Sequence, residues 1–271
     1  MNIGIIGAGN MATSLIKGFL TNKKNKIICS DIDSKKLSVF GKTKRVKTTL
    51  ANIEVVKSSE FIFLCVKPQI IGKILHEIKG DLASSKVLVS IAAGVKTKYL
   101  ETHLEKTSKV IRTMPNLPCS VLKGVFAYMA NKNCTSREIK KFIQIVETSG
   151  IPLALKKEND FDTVTSISGS GPAFLAEYIS AQLEYAKSSG ISSVLAKTLI
   201  FETIIGTVKY LNTTAIPAKK FVELVSSPGG TTESGVDVLK NKKFAKIVFN
   251  CFDAASKKSK KISNKISLEK D

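Results

Sequence analysis

Apolar residues recur along this chain with two different rhythms. Up to about Pro152, short β-rich runs alternate with amphipathic stretches of helical length. The runs are IGIIG (3–7), KIICSD (26–31), FIFLCV (61–66), KVLVSIAA (86–93) and VIRTM (110–114). Nearly continuous apolar runs separated by helix-length segments suit a parallel sheet buried on both faces, and the right-handed crossover rule then leads to a doubly wound α/β fold. GVFAYMA (124–130) and the following TSREIKKFIQIVETSG predict one more strand and helix, capped by Ser136 or Thr135, with Glu138 in the first turn and Gly150 past the end. IPLAL (151–155) offers a further strand.

After about Asp160 the pattern becomes helical, with little β alternation. GPAFLAEYISAQLEYAKSSG sets Pro172 in a first turn and Gly190 at a stop, and the pairs Phe174/Tyr178 and Leu175/Ile179 fall one turn apart. SSVLAKTLIFETIIGTVKYL is similar, and both stretches are apolar around most of their circumference. Such helices need cover on several sides, so a homodimer packed through them is predicted. The last stretch starts amphipathic and fades into lysines, which reads as a frayed, solvated helix. The expected domains are therefore an α/β domain over 1–158 and an all-α domain over 159–271.

Composition narrows the classes. The chain has 271 residues, 43% of them hydrophobic, enough for a core in each half. Its formal charge is +20, but the lysines are dispersed, as in TNKKNK, GKTKRVK and SKKSKKISNK, without interleaved aromatics. That pattern marks a solvated surface that can steer anions, and nucleic-acid binding is not expected as the main function. No apolar run approaches the roughly 18 to 20 residues that span a bilayer. The first apolar run has no charged region ahead of it and ends in a glycine turn, so a cytoplasmic protein without membrane contact is expected. Five scattered cysteines without a CxxC pair argue against a disulfide framework or a metal site, and His76 and His103 read as surface residues.

The candidate chemistry begins at the amino terminus. GIIGAGNMATSLIKGF fits a dinucleotide fingerprint, with Gly7 for the tight turn, Gly9 for backbone approach to a pyrophosphate and Ala12 for close helix–sheet packing. Ile6, Gly7, Ala8, Gly9, Asn10 and Met11 are the candidate contacts, with phosphate on the free amides of a helix over 10–20. The α/β domain is thus expected to be Rossmann-type. Asp31, preceded by Ser30, stands where an acid reads the adenosine ribose and favours NADH; Lys35 and Lys36 beside it could meet a 2′-phosphate, so NADH and NADPH both stay open. At the ends of the next strands, Cys65, Val66, Lys67 and Pro68, then Ala92 and Ala93, are further candidates, and Asn52 is a candidate adenosine contact.

GAGNMA, VKPQ, SIAAGV, RTMPNLP, SGSGPAF and SSPGGTT stand in this order along one chain. Together they resemble the pyrroline-5-carboxylate reductase family, from Ile3 to about Ala255. The resemblance implies a Rossmann domain followed by a helical dimerisation domain, with dimers often assembled into a ring. It implies NAD(P)H-dependent reduction of the C=N bond of 1-pyrroline-5-carboxylate to L-proline, the last step of proline synthesis. It places the imino acid between the nicotinamide and the loop at 226–232, supplied at the dimer interface. Thr232 would set its hydroxyl on the ring nitrogen as the catalytic contact, Ser227, Gly230 and Thr231 would hold the carboxylate, and Glu158 would approach the substrate. Asn116 and Met114 would lie near the nicotinamide. Leu117 replaces a usual threonine, and Asp31 stands where a small polar residue is common. The loop's chemistry agrees: Gly229 and Gly230 free amides to turn inward, and a helix beginning near Thr232 or Glu233 adds its positive end, which suits a carboxylate.

Two other readings compete. A β-hydroxyacid dehydrogenase or another imine reductase would share the fold, but the former class usually relies on a lysine in the first helix of its second domain, and SGSGPAFLAEYISAQ has none. A non-enzymatic nucleotide-binding module would use the positive charge and leave SSPGGTT without a role.

Overall fold

The computed structural model describes residues 1–268. Its first part alternates strands and helices: β1 (Asn2–Ile6), α1 (Asn10–Phe19), β2 (Lys26–Ser30), α2 (Ser34–Ser38), β3 (Val46–Thr49), α3 (Asn52–Ser58), β4 (Phe61–Leu64), α4 (Ile71–Ile78), β5 (Val87–Ser90), α5 (Thr97–Thr102) and β6 (Lys109–Pro115). Then follow β7 (Gly124–Ala130), α6 (Ser136–Val146) and β8 (Gly150–Ala154). The sheet order is β3-β2-β1-β4-β5-β6-β7-β8. The doubly wound expectation holds, and the two halves of the sheet diverge from between β1 and β4.

Alternation along each strand builds two core layers. Ile3 and Ile5 of β1 and Phe61 and Phe63 of β4 face one side, joined by Leu15 and Phe19 of α1 and Phe142 of α6. Ile6, Ile62 and Leu64 face the other, against Val55 of α3 and Leu75 and Ile78 of α4. Phe63 lies 5.1 Å from Phe19 and 6.5 Å from Phe142, centroid to centroid. A strand with both faces covered reads as an unbroken apolar run because neither face can afford a polar residue.

The apolar-run pattern passed over β3. Its sequence VKTT carries no apolar run, and it needs none, because it is an edge strand paired only with β2. β7 is antiparallel to β6, whereas the other strand pairs are parallel. The link between β6 and β7 is one short 3₁₀ turn at Leu117–Val121, far too short for a parallel crossover. Thr135 caps α6 in a full capping box with Glu138.

A helical run continues from α7 (Asp160–Val164) through a π-helical stretch at Thr165–Ser170 into α8 (Gly171–Ser188). Pro172 therefore sits at the second residue of α8, but a wide turn supplied by SISGS precedes it rather than a free helix start. α9 (Ser193–Thr214), α10 (Ala218–Val225), α11 (Thr231–Asn241) and α12 (Phe244–Leu268) complete the chain.

Two compact units emerge: Met1–Ser170 together with the chain from Ala254 onward, and Gly171–Asp253. The change of pattern at 158/159 marks where strands cease, whereas compactness divides the chain at 170/171 and returns its end to the first unit. In the second unit, Phe174 meets Phe252 edge-on at 5.3 Å and Tyr210 packs on Phe221 at 5.1 Å. Large apolar side chains of α9, among them Val194, Leu195, Phe201, Ile205 and Val208, remain exposed on the single chain.

The expectation of a frayed end is corrected. α12 is helical to Leu268, and Ser259, Ser263 and Ile266 are buried, with Ile262 and Ile266 packed on the β5 side of the sheet. These four fall at i, i+3, i+4 and i+7, a narrow stripe that the intervening lysines hide from a composition-based reading. Among the described residues, no helix is long and apolar enough to cross a membrane.

Candidate active site

The glycine loop between β1 and α1 lies at the carboxyl edge of the sheet. Gly7 has φ of +97°, and a Cβ there would stand 2.6 Å from the Cys65 carbonyl oxygen, so both conformation and space demand glycine. Its N–H donates to the Ser30 carbonyl at 2.7 Å, tying the loop to β2. Gly9 is the N-cap of α1 and provides no side-chain cap, and no acidic residue occupies the first turn. The first amides of α1 are thus left for a ligand, with the positive end of the helix dipole behind them.

Two cavities flank this loop. One, of about 250 Å³, is lined by Gly7, Asp31, Ile32, Lys36, Asn52 and Val66 among others. The second, of about 310 Å³, is lined by Asn10, Met11, Pro68, Ala92, Ala93 and Met114 among others. Gly9, Cys65, Val66 and Lys67 border both. The fold therefore brings the front-loop candidates and the candidates at three later strand ends to one edge.

Asp31 is more engaged than a free ribose-reading acid would be. Its Oδ2 accepts the Ala8 N–H at 2.8 Å, its Oδ1 accepts the Asp33 N–H at 2.9 Å, and the Lys36 ammonium stands 3.7 Å from Oδ1. Beside it, the buried Ser30 hydroxyl donates to Asn52 Oδ1 at 2.7 Å, and Asn52 Nδ2 donates to Glu77 Oε2 at 2.9 Å. This chain of hydrogen bonds orients Asn52 at the cavity wall.

Asn116 is buried, with its amide committed at both ends: Nδ2 donates to the Ser168 carbonyl at 3.0 Å and Oδ1 accepts the Val125 N–H at 2.8 Å. It joins the β6–β7 turn to the π-helical stretch instead of presenting a free amide. Leu117, next to it, is exposed.

Glu158 is likewise committed. Its Oε1 accepts from the Arg112 guanidinium and from the Thr97 N–H, the latter at 3.1 Å. Arg112 is 3% exposed, and its guanidinium lies 4.0 Å over the Phe161 ring. Burial pulls the arginine pKa down, against the hydrogen bond and charge of Glu158. Asp162 nearby accepts the Ser259 hydroxyl at 2.6 Å, which fastens α12 to this cluster. Reading by motif passed over Arg112; the available signal was a lone charge inside the apolar run VIRTM.

The back loop belongs to the second unit. α11 begins at Thr231, slightly ahead of the expected start, with Gly230 as N-cap and no side-chain cap. Gly230 N–H donates to the Ser227 carbonyl at 3.0 Å, and a Cβ on Gly230 would fall 2.4 Å from Ser227 Oγ. The Gly229 N–H donates to Glu233 Oε2 at 2.7 Å, and Ser226 Oγ is buried without a hydrogen-bond partner. Ser227, Gly230, Thr231 and Thr232 are therefore gathered around one helix start whose amides lack intrahelical partners.

Comparison with known proteins bears on both loops. Residues 158–262 match a family model described as pyrroline-5-carboxylate reductase dimerisation, and residues 2–94 match one described as NADP oxidoreductase, coenzyme F420-dependent. Pyrroline-5-carboxylate reductase 3 of Danio rerio is 34% identical over 98% of this chain and 92% of its own. The pyrroline-5-carboxylate reductase of Methanosarcina acetivorans is 30% identical over 97% of this chain and 98% of its own. The crystal structure of Plasmodium falciparum pyrroline carboxylate reductase with NADP bound superimposes with a TM-score of 0.90 at 32% identity, covering 97% of this chain and 98% of that one. With full-length relatives at this identity, and with a fold and an ordered set of loops to match, the chain belongs to the pyrroline-5-carboxylate reductase family.

Proposed function

We infer that this chain reduces 1-pyrroline-5-carboxylate to L-proline with NADH or NADPH, and that it works as a homodimer. The observation that carries the residue assignment is the pair of helix starts without a side-chain cap from the N-cap residue, one behind each glycine loop; at α11 the Glu233 carboxylate takes the Gly229 N–H and leaves the amides of Thr231 and Thr232. In this reading each serves an anion of a different size: α1 opens onto cavities of about 250 and 310 Å³, and α11 onto the turn at Ser226–Gly230.

In this reading the amides of Gly9, Asn10 and Met11 receive the pyrophosphate, while Ile6, Gly7 and Ala8 form the turn beneath it. Ser30, Asp31 and Asn52 define the adenosine end; Cys65, Val66, Lys67, Pro68, Ala92 and Ala93 line the path to the nicotinamide end. When bound, the dinucleotide supplies a hydride for the C=N carbon. Ser227, Gly230 and Thr231 hold the substrate carboxylate, and the Thr232 hydroxyl holds the ring nitrogen. Asn116 and Glu158 serve from behind: Asn116 fixes the turn after β6, and Glu158 holds Arg112 and the start of α5. The barrier falls mainly through orientation and charge stabilisation, which needs no histidine.

The exposed apolar face of α9 supports the homodimer, and assembly of dimers into a ring and a cytoplasmic setting belong to the same reading. The test is loss of nicotinamide absorbance with 1-pyrroline-5-carboxylate, for the wild-type chain and for Thr232→Ala. The expected result is turnover by the wild type and a drop of about 10²-fold in kcat/KM for the variant, by analogy with loss of one transition-state donor. Cofactor affinity stays unchanged. An unaltered kcat/KM in Thr232→Ala would remove the back loop from the site.

A further inference from the structure

We propose that Asp31 makes this chain select NADH over NADPH. The inference rests on reading the cavity beside the glycine loop as the adenosine site.

The first ground is that the carboxylate cannot swing aside. Asp31 directly follows β2, with its side chain only 9% exposed, and each of its oxygens accepts a backbone amide, from Ala8 and from Asp33. One of those amides belongs to the glycine loop itself, so moving the acid would disturb the turn that receives the pyrophosphate. Each carboxylate oxygen keeps acceptor capacity, which suits ribose hydroxyls. A 2′-phosphate carries close to two negative charges and has no proton to donate near neutral pH.

The second ground is the shortage of groups to receive such a phosphate. The Ser30 hydroxyl is fully buried and already donates to Asn52. Ile32, the residue after the acid, is 93% exposed on the cavity wall and offers no side-chain donor. Lys35 is exposed and does not line the cavity; Lys36 reaches it, but its ammonium lies 3.7 Å from Asp31 Oδ1, where the acid offsets its charge. The Ala8 amide is taken by Asp31 Oδ2. A fixed negative charge thus stands where NADPH differs from NADH, and the donors nearest to it are occupied by that charge. Like charges at such range discriminate by roughly tenfold or more.

The test is direct binding, by calorimetry, of NADH and of NADPH to the protein without imino acid. The wild type is expected to bind NADH at least about tenfold more tightly than NADPH. Asp31→Asn removes the charge while keeping a carbonyl acceptor for one of the two amides, and it is expected to bring the two affinities together. Asp31→Ser also frees the Ala8 amide and Lys36, and it is expected to reverse the order. Lys36→Gln is expected to leave the wild-type preference for NADH in place. Wild-type affinity for NADPH equal to or above that for NADH would overturn the inference, as would an unchanged affinity ratio in Asp31→Asn. Failure of both dinucleotides to bind would overturn the cavity assignment, and this inference with it.

Discussion

Glu158 Oε1 accepts both the buried Arg112 guanidinium and the Thr97 backbone N–H. One carboxylate thereby joins the segment after β8 to β6 and to the start of α5, beside the Ala92–Ala93 loop. Removing it leaves Arg112 charged, 3% exposed and short of its partner. Glu158→Ala is therefore expected to cost about 3–5 kcal/mol of stability, and Glu158→Gln less, because an amide oxygen still accepts one bond. Thermal unfolding of the three proteins checks this. Equal melting temperatures would mean that the pair carries no structural weight.

Gly94, in the loop after β5, packs against α12. It has φ of +79°, and a Cβ would stand 2.7 Å from Ile262 Cγ2 and 3.1 Å from the Ser263 nitrogen. Gly94→Ala is expected to destabilise by roughly 1–3 kcal/mol through backbone strain and overpacking together. Because the loop also carries Ala92 and Ala93, weaker dinucleotide binding should accompany the loss. Calorimetric titration with NADH would detect it.

Phe201 and Ile205 lie one turn apart on α9, 42% and 58% exposed on the single chain. In the proposed homodimer they are covered, each contributing about 1 kcal/mol for the part of the side chain still exposed on the single chain. The double variant Phe201→Glu, Ile205→Glu is expected to sediment as a monomer, with helical circular dichroism retained and turnover lost. A dimer of unchanged stability would move the interface off this face.

Burial pushes the Cys29 thiol up to about 12 and those of Cys119 and Cys134 up to about 11. The shift is upward, so at pH 8 these groups stay protonated, with thiolate fractions of about 10⁻³ or less. Cys65 is shifted the same way by burial. Ellman's reagent at pH 8 is expected to label the native protein quickly at exposed Cys251 alone, and at the other four only after denaturant. Rapid labelling of four or five thiols would contradict the burial.

Features decided by neighbours in the chain were legible early. The glycine turn at Gly7, a cap for α6 at Thr135 or Ser136 and the apolar runs of β1, β4 and β5 each depend on local sterics or on a contiguous run of residues. The family resemblance was carried by six short motifs in a fixed order, above all SGSGPAF together with SSPGGTT. β3 escaped because an edge strand needs no apolar run, and the return of α12 escaped because a four-residue stripe among lysines is a weak signal.

The sequence by itself determined the doubly wound half, the helical half, the two glycine turns and the family, because each rests on local pattern or on contiguous motif. Tertiary structure alone decided what each polar side chain does. It paired Glu158 with Arg112 across the fold, committed the two ends of Asn116 to the Ser168 carbonyl and the Val125 N–H, and anchored Asp31 to the glycine loop. The reason is physical: a buried donor or acceptor must find a partner, and that partner is set by which segments the sheet order brings together, not by which residues adjoin along the chain.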